Sequence, residues 1–233
     1  MNDSQFGNNR VTVIIPTLNE EKNIYDIINS LKQIGCADIL VVDGHSKDKT
    51  VEIAKTLGAK VILQNGSGKG GALREAFQES MRTSDITVML DADGSMDPKE
   101  IFRFAEAVEL GADVVKGSRF LPCGGSEDLT PLRRVGNRIL TGISNFMFLT
   151  NYSDLCYGYM AFKKDALRCL NPVLESENFE IETEICIKSK LLGLTVHEIP
   201  SIERARRYGI SNLNTFRDGF SILKTLFRGA MNI

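Results

Sequence analysis

Two carboxylates one residue apart, Asp91 and Asp93, stand at the end of the apolar run Ile86-Thr-Val-Met-Leu90 and are followed at once by Gly94. Side chains along a strand alternate sides, so this spacing sends both carboxylates the same way from the strand's end. In α/β sheets, ligands gather outside the carboxyl ends of the strands. Like charges held together there need a cation. Hard oxygens with no neighbouring His or Cys suit Mg²⁺ or Mn²⁺, which take further oxygens from a phosphate. The same residues also suit a strand-ending turn with solvated acids, and the stretch alone fits both readings.

A glycine-rich stretch, Asn65-Gly-Ser-Gly-Lys-Gly-Gly71, is the second candidate. Gly66-x-Gly68-x-x-Gly71 has the spacing of a dinucleotide fingerprint, but that fingerprint belongs to the first strand-helix turn of its unit and this loop follows the third strand. It is not a Walker loop, because Lys69 is followed by Gly70 and not by Ser or Thr. Lys69 and the loop amides are instead expected to lie against a nucleotide from one side. Arg133, Arg134 and Arg138 fall in a stretch without acids and are candidates for a phosphate, which a guanidinium fork meets with two parallel bonds. A solvated basic face is their alternative. His45 and His197 point to no particular chemistry, and Glu180, Glu182 and Glu184 read as a solvated helix face.

The elements that must position these groups alternate regularly. A strand over 11–15 passes through Pro16-Thr-Leu-Asn19-Glu20, with Asn19 as N-cap, into a helix carrying Ile24, Ile27, Ile28, Leu31 and Ile34. Strand 38–43 leads to a helix over 49–57 that ends at Gly58, and strand 61–63 leads through the glycine-rich loop to a helix ending near Met81. Strand 86–90, a helix opened by Pro98 and a strand over 113–116 follow. Beyond residue 116 the alternation fades into a helix over 132–149, a turn into a strand over 154–162, a helix over 178–192, a strand over 196–200 and an amphipathic helix over 213–231. Strands separated by helices of this length predict an α/β fold with a mostly parallel central sheet covered on both faces.

The chain has 233 residues, 25% of them charged, and a net charge of −2, so nothing in the overall charge calls for nucleic acid. Charge is uneven, with six basic residues in 202–233 and five glutamates in 175–184, which predicts an anion-facing end. Five cysteines without a C-x-x-C pair, and no signal peptide ahead of them, read as thiols in a reducing, cytoplasmic compartment. The longest apolar run, near 139–149, is too short and interrupted to span a bilayer. Residues 1–10 read as a loose polar arm.

Taken together, Pro16-Thr-Leu-Asn19-Glu20, Val41-Val-Asp43, Gly68-Lys-Gly70, Asp91-Ala-Asp93-Gly94, Gly117-Ser-Arg119-Phe120, Asp154 with Gly158-Tyr159, and Arg206-x-x-Gly209-x-Ser211 resemble the family 2 glycosyltransferases of the GT-A fold. Within them, the chain resembles the dolichyl- and polyprenyl-phosphate sugar transferases. The resemblance implies one GT-A domain over 11–212, with a nucleotide-binding half over about 11–116 and an acceptor half over about 117–212, followed by the helix over 213–233. It implies a UDP- or GDP-linked sugar donor, with Pro16, Leu18, Glu20, Val41 and Asp43 lining the nucleoside pocket. Asp91, Ala92 and Asp93 would meet the ribose and the metal-bound diphosphate, and Arg119 and Arg206 would contact anionic groups of donor or acceptor. Asp93, Arg119 and Arg206 are thus the expected catalytic residues, and Arg119 joins Arg133, Arg134 and Arg138 as a candidate for the acceptor phosphate. Two positions depart from the family's habit. Ser95 stands where Gln is often a further metal-side ligand, which bears on metal affinity, and Asn212 stands where Lys is common, which bears on how firmly the diphosphate is held.

The chemistry implied is in-line displacement of a nucleoside diphosphate, with inversion at the anomeric carbon and a divalent ion stabilising the leaving oxygen. A lipid phosphate acceptor is already ionised near neutral pH and needs positioning more than a base. A hydroxyl acceptor would need a base, from Glu180, Glu182, Glu184 or Asp154. A donor-binding protein without turnover is the non-enzymatic alternative. A sugar-nucleotide pyrophosphorylase is disfavoured, because Pro16-Thr-Leu-Asn19-Glu20 holds no glycine-rich basic loop. The helix over 213–231 can lie on a membrane surface with its Phe and Leu stripe buried and its basic residues toward anionic head groups, or pack on the sheet or on a second subunit as a homodimer contact.

Overall fold

The computed structural model describes residues 9–209 and 214–231. The first half follows the predicted alternation: β1 (Val11–Thr17), α1 (Glu21–Gln33), β2 (Asp38–Asp43), α2 (Thr50–Thr56), β3 (Lys60–Leu63), α3 (Gly68–Ser80), β4 (Ile86–Met89), α4 (Ile101–Glu109) and β5 (Val114–Ser118). The second half adds β6 (Gly125–Ser126), α5 (Pro131–Phe148), β7 (Met160–Lys163), α6 (Lys164–Leu170), α7 (Ile181–Leu191), β8 (Val196–Pro200), β9 (Ile202–Glu203) and α8 (Thr215–Met231).

Seven strands form one sheet in the order β3-β2-β1-β4-β7-β5-β8. All pairings are parallel except those of β7, which runs antiparallel between β4 and β5. Beside this sheet, β6 and β9 make a small parallel pair. Strand periodicity divides the core in two. Val13, Ile15, Val41 and Val88 face a cluster filled by α1, α2 and α4, whereas Ile14, Leu40, Val42 and Met89 face one filled by α3, α5, α6, α7 and α8. The strand read over 154–162 is ordered as strand only from Met160 onward.

Two local expectations change. Asn19 does not cap α1: it takes a left-handed backbone (φ 56°), its amide donates to Ser46 Oγ and its Oδ1 accepts from the Lys47 amide. It ties the loop after β1 to the loop after β2. Helix α3 starts at Gly68, inside the stretch read as loop, because the glycines there meet backbone and not solvent. A Cβ on Gly68 would lie 2.2 Å from the Glu177 carbonyl oxygen, and one on Gly70 would lie 2.2 Å from that of Ser176.

Helix α5 is buried on its polar side. Asn137, Thr141 and Ser144 face inward with Phe148, while Leu132, Val135, Ile139 and Phe146 are exposed. Helix α8 packs beside α5 and α7 through Ile222, Thr225, Leu226 and Gly229. Its predicted stripe turns outward, with Phe216 79% and Phe220 70% exposed, along with Phe227 and Met231. Of the same stripe Leu223 is half-buried and packs against the core cluster. Leu213, Ser211 and Asn212 lie outside the described residues. Among the described residues, no helix is long and apolar enough to cross a membrane.

Candidate functional site

The carboxyl ends of β1 to β4 open onto one cavity of about 640 Å³, walled on its other sides by α5, α7 and α8. Of the expected nucleotide contacts, Pro16, Leu18, Glu20, Lys69, Asp91, Ala92 and Asp93 line it, as does Ser95. Val41 does not. Its side chain is fully buried in the cluster under α1 and α2, on the core side of the sheet. Asp43 is buried behind the wall at Gly44, its carboxylate accepting from Thr17 Oγ1 (3.1 Å), the Ser46 amide (2.8 Å) and Ser46 Oγ (2.6 Å). Its role here is to hold the loop that borders the cavity.

Strand β4 stops at Met89, so Asp91 and Asp93 sit in the turn that follows and not on the strand itself. Both still reach the cavity, each against its own cation. Asp91 Oδ1 lies 2.6 Å from Lys69 Nζ, and Asp93 Oδ2 lies 2.9 Å from Arg206 Nη2. Asp93 Oδ1 also accepts from the Ser95 amide, which fixes the turn. Lys69 bridges onward to Glu182 Oε1 at 2.7 Å, and Arg206 Nη1 to Glu20 Oε1 at 3.5 Å. Burial pushes the Lys69 ammonium towards its neutral form, but Asp91 and Glu182 more than reverse this and hold it charged above the usual lysine range. Burial raises both Glu182 and Glu20, against which Lys69 and, for Glu20, Asn23 and Arg206 work in the other direction. Gly158 leaves room for this cluster: a Cβ there would lie 3.1 Å from Glu182 Oε1 and 3.2 Å from Lys69 Nζ.

The glutamates of α7 are therefore not a solvated face. Glu182 is buried against Lys69, and Glu184 is buried accepting from the amides of Glu175 and Ser176. The glycine-rich stretch also departs from expectation, because the amides of Gly70 (2.7 Å) and Gly71 (3.4 Å) donate to the Glu177 carbonyl. These two amides are used within the fold, and of the stretch Gly68 and Lys69 line the cavity.

At the other end of the cavity stands Arg119. It is buried, with Nε and Nη2 donating to Asp154 at 2.7 and 3.0 Å and Nη1 donating to Glu203 at 3.1 Å, and its guanidinium lies 4.8 Å from the centre of the Tyr157 ring. Asp154, a candidate base, is fully buried and engaged by Arg119, which more than reverses the raising effect of burial and holds its carboxyl below the usual range. Asn137 donates to the same carboxylate at 2.7 Å. Of the three arginines on α5, Arg133 lines the cavity and its Nε donates to Thr215 Oγ1 at 3.4 Å. Arg134 and Arg138 instead lie over the Phe120 ring, 5.7 and 5.5 Å from its centre, and are not in the cavity wall. The helical repeat explains the split, since positions 133, 137 and 140 share one face whereas 134 and 138 share the next. Asn137 and Glu203 went unremarked in the sequence. For Asn137 the signal was a polar residue at helical spacing from Arg133; for Glu203 there was none beyond proximity to Arg206.

Asp91, Asp93 and Ser95 offer hard oxygens to one cavity, and two carboxylates completed by waters and phosphate oxygens make a donor set that suits Mg²⁺ or Mn²⁺. Among the described residues, no group of three or more His, Cys, Asp or Glu could by itself hold a metal ion. The residues fit an ion bound jointly with a substrate.

Comparison with known proteins agrees with this layout. Residues 12–170 match the family described as Glycosyl transferase family 2. Glycosyltransferase AglJ of Haloferax volcanii is 35% identical, over 94% of this chain and 72% of that protein. The polyprenol monophosphomannose synthase of Mycolicibacterium smegmatis is 30% identical, over 95% and 86%. Among solved structures, glucosyl-3-phosphoglycerate synthase from Mycobacterium tuberculosis, in complex with Mn²⁺, UDP and glucosyl-3-phosphoglycerate, superposes with a TM-score of 0.78 at 19% identity, covering 97% of this chain and 82% of that one. That likeness shows a shared GT-A fold.

Proposed function

Because the chain belongs to glycosyl transferase family 2 and is a glycosyltransferase, we propose that it moves a sugar, with inversion, from a nucleotide diphosphate to a polyprenyl phosphate at a membrane surface. The observation that carries this reading is the polarity of this cavity. Asp91 and Asp93 line it just past the end of β4, Arg119 and Arg133 line the part beside α5 together with Glu203, and Ile139, Leu140, Phe216 and Ile222 line it between α5 and α8. Such a cleft suits a molecule with an anionic head and an apolar tail. The names of the relatives, the mycobacterial polyprenol synthase among them, support the same acceptor class.

In this reading Pro16, Leu18 and Glu20 border the nucleoside, and Asp91 and Asp93 hold a divalent ion against the diphosphate. When bound, that ion supplies counter-charge to the leaving oxygen. Arg206 lies at the same carboxylates and brings a guanidinium to the diphosphate. Arg119 and Arg133 hold the acceptor phosphate, with Arg119 kept in one orientation by Asp154 and by the Tyr157 ring. The acceptor oxygen is ionised near neutral pH, so the protein's contribution is alignment. A hydroxyl acceptor gains less support, since Glu182 is committed to Lys69 and Asp154 to Arg119. The outward Phe216, Phe220 and Phe227 of α8, beside the exposed Arg217, Lys224 and Arg228, suit the head-group region of an anionic bilayer.

The test is transfer of label from a panel of UDP- and GDP-linked sugars, with Mg²⁺ or Mn²⁺, in the presence of polyprenyl phosphate vesicles and of soluble hydroxyl acceptors. Label is expected in organic-extractable lipid. Label confined to water-soluble product would overturn the lipid acceptor.

A further inference from the structure

Glu203 and Arg206, three residues apart on one short segment, reach two different parts of the cavity. Glu203 presents its carboxylate to Arg119 Nη1, at 3.1 and 3.2 Å, where Ser126 Oγ also donates to it. Arg206 presents its guanidinium to Asp93 at 2.9 Å. All four side chains are less than one-fifth exposed. The Arg206 Nε is buried and finds no acceptor among the described residues, so this arginine is held at Asp93 with part of its hydrogen-bonding capacity unused. Around these contacts the segment is tied to its surroundings: the Arg204 amide donates to the Ser95 carbonyl at 2.8 Å and the Ala205 amide to Glu127 Oε2 at 3.1 Å.

We propose that this segment carries a built-in surrogate for each ligand: Glu203 occupies Arg119 in place of the acceptor's phosphate, and Arg206 occupies Asp93 in place of the divalent cation. The inference rests on the reading of Arg119 and Asp93 given above and adds a linkage between them. Three residues of chain span about 10 Å at most, so a shift of this backbone that frees one contact also displaces the other. A cation that takes Asp93 releases Arg206 and loosens the hold of Glu203 on Arg119. An anion that takes Arg119 releases Glu203 and, through the same backbone, Arg206. Metal and acceptor then favour each other's binding, and by linkage the effect is reciprocal.

The proposal is tested by the sign of two charge removals in the 233-residue chain. Mn²⁺ affinity is read from loss of the free-ion electron paramagnetic resonance signal, and farnesyl phosphate affinity from calorimetry. Charge alone dictates that Glu203→Gln, which removes a negative group, weakens Mn²⁺ binding, and that Arg206→Gln, which removes a positive one, weakens farnesyl phosphate binding. The linked segment predicts the opposite in both, a tightening of about fivefold or more. Thermal melts establish that each variant is folded, and if Glu203→Gln is not, Ser126→Ala takes its place, since it removes a hydrogen bond that holds Glu203 at Arg119. A change in the sign set by charge, or no change, in either arm overturns the proposal. A wild-type chain that binds neither probe removes instead the functional reading on which it rests.

Discussion

Arg119 meets Asp154 edge to edge, Nε donating to Oδ2 across 2.7 Å and Nη2 to Oδ1 across 3.0 Å, at a place where the carboxylate is wholly shut off from solvent. Removing one member of such a pair strands the other. We predict that Asp154→Ala lowers the unfolding free energy by about 3–5 kcal/mol, read from urea midpoints, and that Asp154→Asn costs less because an amide still accepts one bond. Coincident midpoints for Asp154→Ala and wild type would contradict this.

The same pair sets an acid limit. Burial raises the Asp154 carboxyl, but Arg119 holds it below the usual range. A group with a depressed folded pKa supplies stability above its unfolded value, about 3.9, that is lost as pH falls through the folded value. Glu182 and Glu20, raised by burial, act in the other sense and favour the fold more in acid. Wild type should therefore lose stability below about pH 4 more steeply than Asp154→Asn, as measured by denaturant midpoints across the acid range.

Lys69 neutralises two carboxylates at once. In Lys69→Met, Asp91 and Glu182 face each other without a cation, and the destabilisation should reach about 3 kcal/mol. If Asp91 faces a metal site, Mn²⁺ should raise the melting temperature of this variant more than that of wild type. Equal shifts would separate Lys69 from the metal site.

The Gly70 position is closed to any side chain, since a Cβ would lie 2.2 Å from the Ser176 carbonyl oxygen. Gly70→Ala must push the 176–178 loop away from α3, at about 1–3 kcal/mol. Because Lys69 is the neighbouring residue, sugar transfer should fall as well. Gly142→Ala, where a Cβ meets nothing within 4 Å, is the control.

The outer face of α8 gives the membrane prediction. Burying a phenylalanine is worth about 1.5–3 kcal/mol, so Phe216→Ser with Phe220→Ser should reduce flotation with anionic vesicles by at least about tenfold and leave the melting temperature unchanged. Salt should weaken wild-type flotation through Arg217, Lys224 and Arg228. Undiminished flotation of the double variant would exclude this face.

The sequence made the first half of the fold legible because strand and helix periods alternate cleanly up to Lys116. It also located Asp91 and Asp93, since two acids after an apolar run carry their spacing on the surface of the text. What stayed hidden were partnerships across long separations. Nothing local says that Lys69 meets Glu182, that Asp154 encloses Arg119, or that Gly68 and Gly70 are small to admit the 176–178 backbone and not to cradle an anion. The run of glutamates in α7 reads as solvated because acids usually are. It is buried here because a lysine and two backbone amides stand opposite. Arg133, Arg134 and Arg138 read alike by composition, and only the helix phase relative to the cavity divides them.

The late arrival of β7 constrains how the molecule can be made. Its place in the sheet lies between β4 and β5, yet it is translated after both. Until residue 163 has left the ribosome, β1 to β4 have the β4 edge open as well as the permanent β3 edge, and β5 has none of its final neighbours. A fragment ending at residue 116 would keep those raw edges permanently. β7 is the strand that joins β4 to β5, and expression of the 1–116 portion alone should give material that sticks to itself.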